Sequence, residues 1–201
     1  QHVNNSMKEQ LSDERVRQAL HYGFNKEALV EGITSGYEEK ADYILPTNLP
    51  YTKGNDAKVI DYDVEKAKSL LDEAGWTLPK GKTVREKDGE PLEVELMYDS
   101  AESIQKTMAE TLQAEWGAIG VKLNIVGVEL TEQIQRFKDN KFDINFFSNY
   151  GAPYDPHTFL NIVLSEGFGF NEAISAYPNK AELLKQIAEV PKTTDEEKRQ
   201  Q

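Results

Sequence analysis

The chain of 201 residues contains no cysteine. This absence excludes disulfide bonds, thiolate-bound zinc, iron–sulfur clusters and a cysteine nucleophile within the chain. The sequence also lacks an apolar run of roughly 18 residues, which a membrane-spanning helix requires. Positive charge is scarce, because 23 Lys and Arg stand against 35 Asp and Glu, giving a net charge of −12. This deficit argues against nucleic acid and against an anionic membrane surface as partners.

Motifs of catalysis and of metal binding are also missing. The sequence has no P-loop, dinucleotide fingerprint, nucleophile elbow or H-E-x-x-H motif. Its three histidines, His2, His21 and His157, have no pair at the spacing of a helical metal site, and we interpret the first two as surface or hydrogen-bonded residues. Glu93 and Glu95 alternate with apolar residues, which is typical of the solvated face of a strand. The sequence therefore predicts no catalytic residues and no protein ligands to a metal.

Hydrophobic periodicity and turn residues divide the chain into alternating elements. A turn is expected at Lys87-Asp88-Gly89, and Ser12 and Asp63 are expected to cap the helices that follow them. Helices are predicted at 12–24, 26–33, 63–75, 101–118, 131–139, 157–164, 179–189 and from 194 onward. Strands are predicted at 92–98, 121–128 and 142–147. The central strand–helix alternation indicates an α/β fold with a largely parallel sheet.

The loop after the third strand is the candidate site, because ligands bind outside the carboxyl ends of strands in such sheets. Residues 148–157 hold two tyrosines, two prolines and one aspartate within a short span. Tyrosine offers an apolar ring with a polar tip, which suits a ligand wall. The alternative is a packed loop in which Asp155 caps the next helix. A small α/β enzyme that uses Asp155 and His157 as an acid/base pair is a more remote interpretation.

One segment is similar to a known family. The loop Tyr150–Leu160, with the sequence YGAPYDPHTFL, closely resembles the signature loop of nickel-binding proteins of ABC importers. These proteins belong to the peptide/nickel/opine class of extracytoplasmic substrate-binding proteins. Further matching segments occur in the same order along nearly the whole chain, at 13–20 with 25–26, 62–76, 77–82, 85–92 and 108–110.

The resemblance implies a fold and a domain organisation. It implies a three-layer, periplasmic-binding-protein-like (type II) α/β lobe, in which helices flank a mainly parallel mixed sheet. Residues 1–201 would be a single lobe, the third domain, of a longer two-lobed protein, and residues 1–11 a hinge or crossover segment. The start at Gln1, without an initiator Met or a signal-like segment, is interpreted as that of a mature or excised chain.

The resemblance also implies site residues. Tyr150 occupies the position of an aromatic that stacks on the ligand, and Tyr154 matches a tyrosine that lines the same cleft. The complete ligand-binding set predicted is Asn149, Tyr150, Tyr154, Asp155 and His157. Ala152-Pro153 stands where peptide-binding relatives carry an acidic residue, and Phe168 stands where some nickel carriers offer a histidine to the metal.

The function implied is that of a non-enzymatic solute-binding component of an ABC transporter. It would capture a nickel or other transition-metal chelate between two lobes and deliver it to the permease, without a resident cofactor. The alternative within the class is a di- or oligopeptide carrier. We expect a monomer that binds no nucleic acid and acts outside the cytoplasm, either in the periplasm or as a lipoprotein on the outer face of the cell membrane.

Overall fold

The computed structural model describes residues 2–6, 8–43, 58–146, 156–167 and 169–200. The strands are β1 (His2–Asn4), β2 (Glu86–Lys87), β3 (Glu90–Pro91), β4 (Glu93–Asp99), β5 (Lys122–Val128) and β6 (Ile144–Phe146). The helices are α1 (Glu9–Ser12), α2 (Glu14–Tyr22), α3 (Lys26–Thr34), α4 (Val64–Glu73), α5 (Ser103–Ala118), α6 (Leu130–Lys138), α7 (Pro156–Leu164), α8 (Phe170–Ala173), α9 (Lys180–Glu189) and α10 (Glu196–Gln200). Within these ranges no helix is both long and apolar enough to cross a membrane.

Four of the strands form one sheet in the order β1-β6-β4-β5. The central strand β4 runs parallel to β5 and to β6, whereas β1 pairs with β6 in the antiparallel direction. Leu96 of β4 lies opposite Ile125 on one side and Ile144 on the other. The predicted α/β fold with a mainly parallel mixed sheet is therefore confirmed. The expected turn is also present, because β2 and β3 form a small hairpin around Asp88 and Gly89.

Helices cover both faces of the sheet and give the three layers. Neighbouring residues of β4 point to opposite faces, so Leu96 and Met97, both fully buried, enter different cores. The first core contains apolar residues of α1, α2, α4 and α5, among them Leu11, Leu20, Leu71 and Trp116. The second core is formed with α6, α7, α8 and α9, through Phe137, Val163, Phe170 and Ile187.

The N-terminal segment is built into the sheet. Asn5 Nδ2 donates hydrogen bonds to Asn140 Oδ1 and to the Phe142 carbonyl, each at 2.7 Å. Ser6 Oγ donates to the Ala173 carbonyl at 2.5 Å. Strand β1 was not predicted, because three mostly polar residues carry no periodicity. That residues 1–11 also act as a hinge or crossover stays a prediction.

Of the two helix caps expected from the sequence, one is present and one is not. Asp63 caps α4, because its Oδ1 accepts a hydrogen bond from the Lys66 amide at 2.8 Å. Ser12 does not cap α2, so that prediction is wrong. Asp13 takes the role by accepting from the Arg15 amide at 2.9 Å, while Ser12 Oγ donates to the Glu9 carbonyl within α1. The acidic side chain also suits the positive end of the helix dipole.

Arg85 is a buried cation that joins three segments beneath the first core. Its side chain, only 5% exposed, donates from Nε to the Ile119 carbonyl at 2.8 Å and from Nη1 to the Trp76 carbonyl at 2.7 Å. Nη1 also forms an ion pair with Asp72 at 2.5 Å. Gly120 adopts φ +88° against this side chain, and a Cβ there would lie 2.8 Å from Arg85 Cγ. Arg85 thereby fixes the ends of α4 and α5 to the segment that precedes the hairpin.

We expect Arg85→Met to lower the free energy of unfolding by about 2–4 kcal/mol, because two buried carbonyls lose their charged donor. Urea denaturation of both proteins measures this difference. Lys106→Met is the control, since Lys106 pairs with Glu110 at 3.9 Å on an exposed helix face and should change stability by at most about 0.5 kcal/mol. Equal losses in the two variants would contradict the role given to Arg85.

Candidate functional site

The predicted loop is described only at its flanks. Strand β6 ends at Phe146, and α7 begins at Pro156, close to the predicted helix start. Of the predicted site residues, His157 lies in the first turn of α7 and is half-buried. Asn149, Tyr150, Tyr154 and Asp155 lie outside the described residues, as do Ala152, Pro153 and Phe168. Their role in binding stays a prediction.

The loop leaves the sheet at the edge where a binding site is expected. Because β4 and β6 are parallel, their carboxyl ends, at Asp99 and Phe146, lie on the same edge of the sheet. Backbone groups and loops at this edge are where open α/β sheets bind ligands. Strand β6, which precedes the predicted loop, therefore ends at the edge of the sheet where folds of this kind bind ligands.

A cavity of about 600 Å³ adjoins this edge. Its wall comes from α2, α3, α5, the end of β6 and the segment Glu38–Tyr43, which we call the strap. Apolar side chains make up much of the wall, including Phe24, Leu29, Ile33, Met108, Leu112 and Phe146. Sequence reasoning missed this cavity, because α3 carried only a short apolar pattern and the strap none.

Ion pairs fix the strap to the rest of the fold. Lys26 Nζ, at the start of α3, lies 3.1 Å from Asp42 Oδ1 in the strap. Lys40 Nζ lies 3.6 Å from the same oxygen and 3.1 Å from Asp61 Oδ1, just before α4. The Lys26 and Asp42 side chains are only 16% and 22% exposed, so water screens their attraction less than it screens a surface pair.

His21 lies in the cavity wall and is half-buried. Burial of its ring, and then the positive charge of Lys26, lower the pKa of His21 from 6.5 to about 4. His21 is therefore neutral at pH 7. No sequence pattern indicated this shift, because it depends on how the folded chain surrounds the ring.

Two carboxylates outside the cavity wall, those of Glu93 and Glu95, form pairs with neighbouring side chains that support the fold. Hydrogen bonds from Asn124 and Lys122 lower the pKa of Glu93, and Lys122 Nζ lies 3.0 Å from its carboxylate. Glu95 pairs with Arg136 at 3.0 Å and thereby ties α6 to β4. Among the described residues, no three His, Asp or Glu side chains form a group that could hold a metal ion. The interpretation of Glu93 and Glu95 as a polar strand face agrees with these contacts.

Comparison with known proteins identifies relatives over nearly the whole chain. Residues 2–171 match the family described as bacterial extracellular solute-binding proteins, family 5 Middle. The nickel-binding periplasmic protein of Escherichia coli (strain K12) is 37% identical over 196 residues, which are 98% of this chain and 37% of that protein. The dipeptide-binding protein of the same organism is 34% identical over 161 residues, which are 80% of this chain and 28% of that protein.

A solved structure reproduces the fold. The crystal structure of NikA from Brucella suis in complex with Fe(III)-EDTA superimposes with a TM-score of 0.94 at 33% identity. The match covers 99% of this chain and 40% of the Brucella chain. The chain thus spans less than half the length of each of these relatives.

The low pKa of His21 predicts a pH dependence of stability. In the unfolded chain His21 takes up a proton near its ordinary pKa of 6.5, whereas in the folded protein it resists protonation until about pH 4. His21 therefore lowers the free energy of unfolding as the pH falls from 6.5 towards 4, by up to about 3 kcal/mol.

His21→Gln should remove this contribution. We expect the variant to lose less stability than the parent chain between pH 6.5 and pH 4.5, as measured by urea denaturation at a series of pH values. At each pH the free energy of unfolding of the variant is compared with that of the parent chain, because the carboxyl groups titrate equally in both proteins and cancel in the difference. Parallel stability curves would contradict the low pKa.

Proposed function

The chain belongs to family 5 of the bacterial extracellular solute-binding proteins, and from this premise we propose that it is one lobe of a longer solute-binding protein of an ABC importer. The lobe would form one wall of a cleft that closes on a solute. The observation that carries the proposal is similarity along 98% of the chain to a protein that it covers by only 37%. Residues 1–201 would then be the third domain.

The proposed ligand is a nickel or other transition-metal chelate. Two of the relatives support this choice, since one is named as nickel-binding and the other was solved with Fe(III)-EDTA, an organic chelate of a metal. In our proposal Tyr150 and Tyr154 provide aromatic walls, and Asn149, Asp155 and His157 provide polar contacts. Phe168 cannot coordinate a metal, so the metal would arrive with its own chelator.

A di- or oligopeptide is the second candidate ligand. The similarity to a dipeptide-binding protein, 34% identical over 80% of this chain, supports it. The presence of Ala152-Pro153 where the peptide-binding relatives carry an acidic residue favours the chelate, because a peptide's amino terminus would lack its counter-charge.

The rest of the proposal concerns setting and partners. The relatives described above carry the names of binding proteins, which agrees with the expectation of a non-enzymatic function. We propose that the full protein is monomeric, works outside the cytoplasm as a periplasmic protein or a lipoprotein, and hands its ligand to membrane permease subunits. The remote alternative of an enzyme based on Asp155 and His157 has no support from these relatives.

Calorimetric titration of the full-length protein discriminates between the two ligands. We expect heat of binding with a nickel–histidine complex and none, or far weaker binding, with a set of dipeptides. Free histidine without metal is the control for binding of the chelator alone. Tight peptide binding without any binding of the nickel complex would reject the first choice.

Replacement of either predicted tyrosine tests the site. We expect Tyr150→Ala and Tyr154→Ala to raise the Kd for the ligand by roughly tenfold or more, because each removes a stacking surface worth at least about 1.4 kcal/mol. The melting temperature should stay nearly unchanged. Tyr177→Ala is the matched control, since Tyr177 is 51% exposed between α8 and α9. A large loss of stability with unchanged affinity would show that the loop is structural.

A further inference from the structure

The cavity behind the strap is much larger than a packing defect. Protein interiors leave few voids larger than a water molecule, whereas this space measures about 600 Å³. Small-molecule sites in proteins occupy about 300–1,000 Å³. An apolar cavity of only about 150 Å³ already stays dry and binds benzene. The cavity is therefore in the size range of a small-molecule binding site.

The wall favours an uncharged, apolar occupant. Leu29, Val30 and Ile33 line the cavity and are only half-buried, so each keeps apolar surface that a ligand can cover. A ligand that covers this surface gains dispersion and burial energy. Met108, on the same wall, is unbranched and polarizable and adapts to ligand shape.

The charges of the wall cancel, and its three cations are engaged in other contacts. Three cations and three anions line the cavity, namely Arg17, Lys26, Lys40, Glu38, Glu39 and Asp42. Arg17 Nη1 donates to the Leu11 and Ser12 carbonyls at 2.7 and 2.8 Å, and both lysines pair with Asp42. His21 is neutral at pH 7. A charged ligand would have to lose its hydration shell or break one of these pairs.

We infer that this cavity is a binding pocket for a small uncharged apolar molecule, or for the apolar part of a larger ligand. We also infer that the strap controls access to this pocket. The strap begins beside α3, where the Glu38 amide donates to Thr34 Oγ1 at 3.2 Å. The Lys26–Asp42 ion pair holds it further along, at 3.1 Å. Moving the strap away from α3 therefore requires this pair to break.

The described part of the cavity wall does not include His157, the one predicted site residue that the structure describes, and the ligand inferred here need not contain a metal. The two proposals are tested separately, since indole binding is followed by NMR and binding of the nickel complex by calorimetry.

Methionine methyl NMR of the full-length protein, with the signals assigned by Met97→Leu and Met108→Leu replacements, tests the pocket with indole as the probe. The chain has three methionines. Met108 lines the cavity, whereas Met97 is fully buried in the second core and serves as an internal control. We expect indole to shift the Met108 signal in a saturable manner and to leave Met97 unchanged. Indole-3-acetate, which carries a negative charge, should bind at least about tenfold more weakly. Absence of a saturable Met108 shift would overturn the proposal.

A variant that fills the cavity gives the second arm. Ile33→Trp places a large side chain in the wall and should raise the Kd for indole by roughly tenfold or more. Ile134→Trp, on α6 outside the cavity wall, is the matched control and should bind indole normally. If Ile33→Trp does not fold, Val30→Trp tests the same wall. Equal affinity in the filled and control variants would locate indole elsewhere and overturn the proposal.

Lys26→Gln tests whether the strap controls access to the pocket. Loss of the charge should speed the release of indole, measured from NMR line widths, and should speed amide hydrogen exchange in residues 38–43. Lys68→Gln, which removes the exposed Lys68–Glu65 pair at 2.9 Å on α4, is the control. An unchanged release rate and unchanged exchange in Lys26→Gln would show that the ion pair does not gate the pocket.

Discussion

The position of strand β4 between two parallel neighbours is the constraint on which the rest of the fold depends. Its alternating side chains reach both cores, so every helix layer packs against the same seven residues. Because β5 and β6 run parallel to β4, helices must return the chain each time to the opposite end of the sheet. This arrangement gathers the carboxyl ends of the strands on one edge. The cavity and the start of the predicted ligand loop both lie there.

The strongest patterns in the sequence predicted the scaffold well. Helix α4 followed from an acidic cap, an apolar stripe and a terminal glycine, and β5 followed from a short apolar run between helices. Rules based on local sequence failed where two neighbouring residues competed for the same role, or where a strand needed a partner from a distant part of the chain. Asp13 rather than Ser12 caps α2, and β1 exists only because β6 supplies its partner.

The candidate site was likewise predicted only in part from the sequence. The loop around Tyr150 and Tyr154 was singled out by composition and by its place after a strand, and it lies outside the described residues. The cavity was missed, because it arises where α2, α3, α5 and the strap meet, and no single segment of sequence carries that information. His21 illustrates the cause, since the burial of a histidine on a helix depends on the elements packed around it in the folded protein.

The pairing of β1 with β6 has a consequence for synthesis on the ribosome. Asn5 bonds to residues 135 and 137 positions further along the chain, and the residues of β1 pair with residues 140 to 144 positions further along. At a translation rate of about 5–20 residues per second, the first strand must wait roughly 7–30 seconds for its partner to emerge. During this interval its backbone groups are unpaired, and the nascent chain can bind a chaperone there. The β1 edge of the sheet is therefore completed only after β6 has been made, although β1 precedes β6 in the chain.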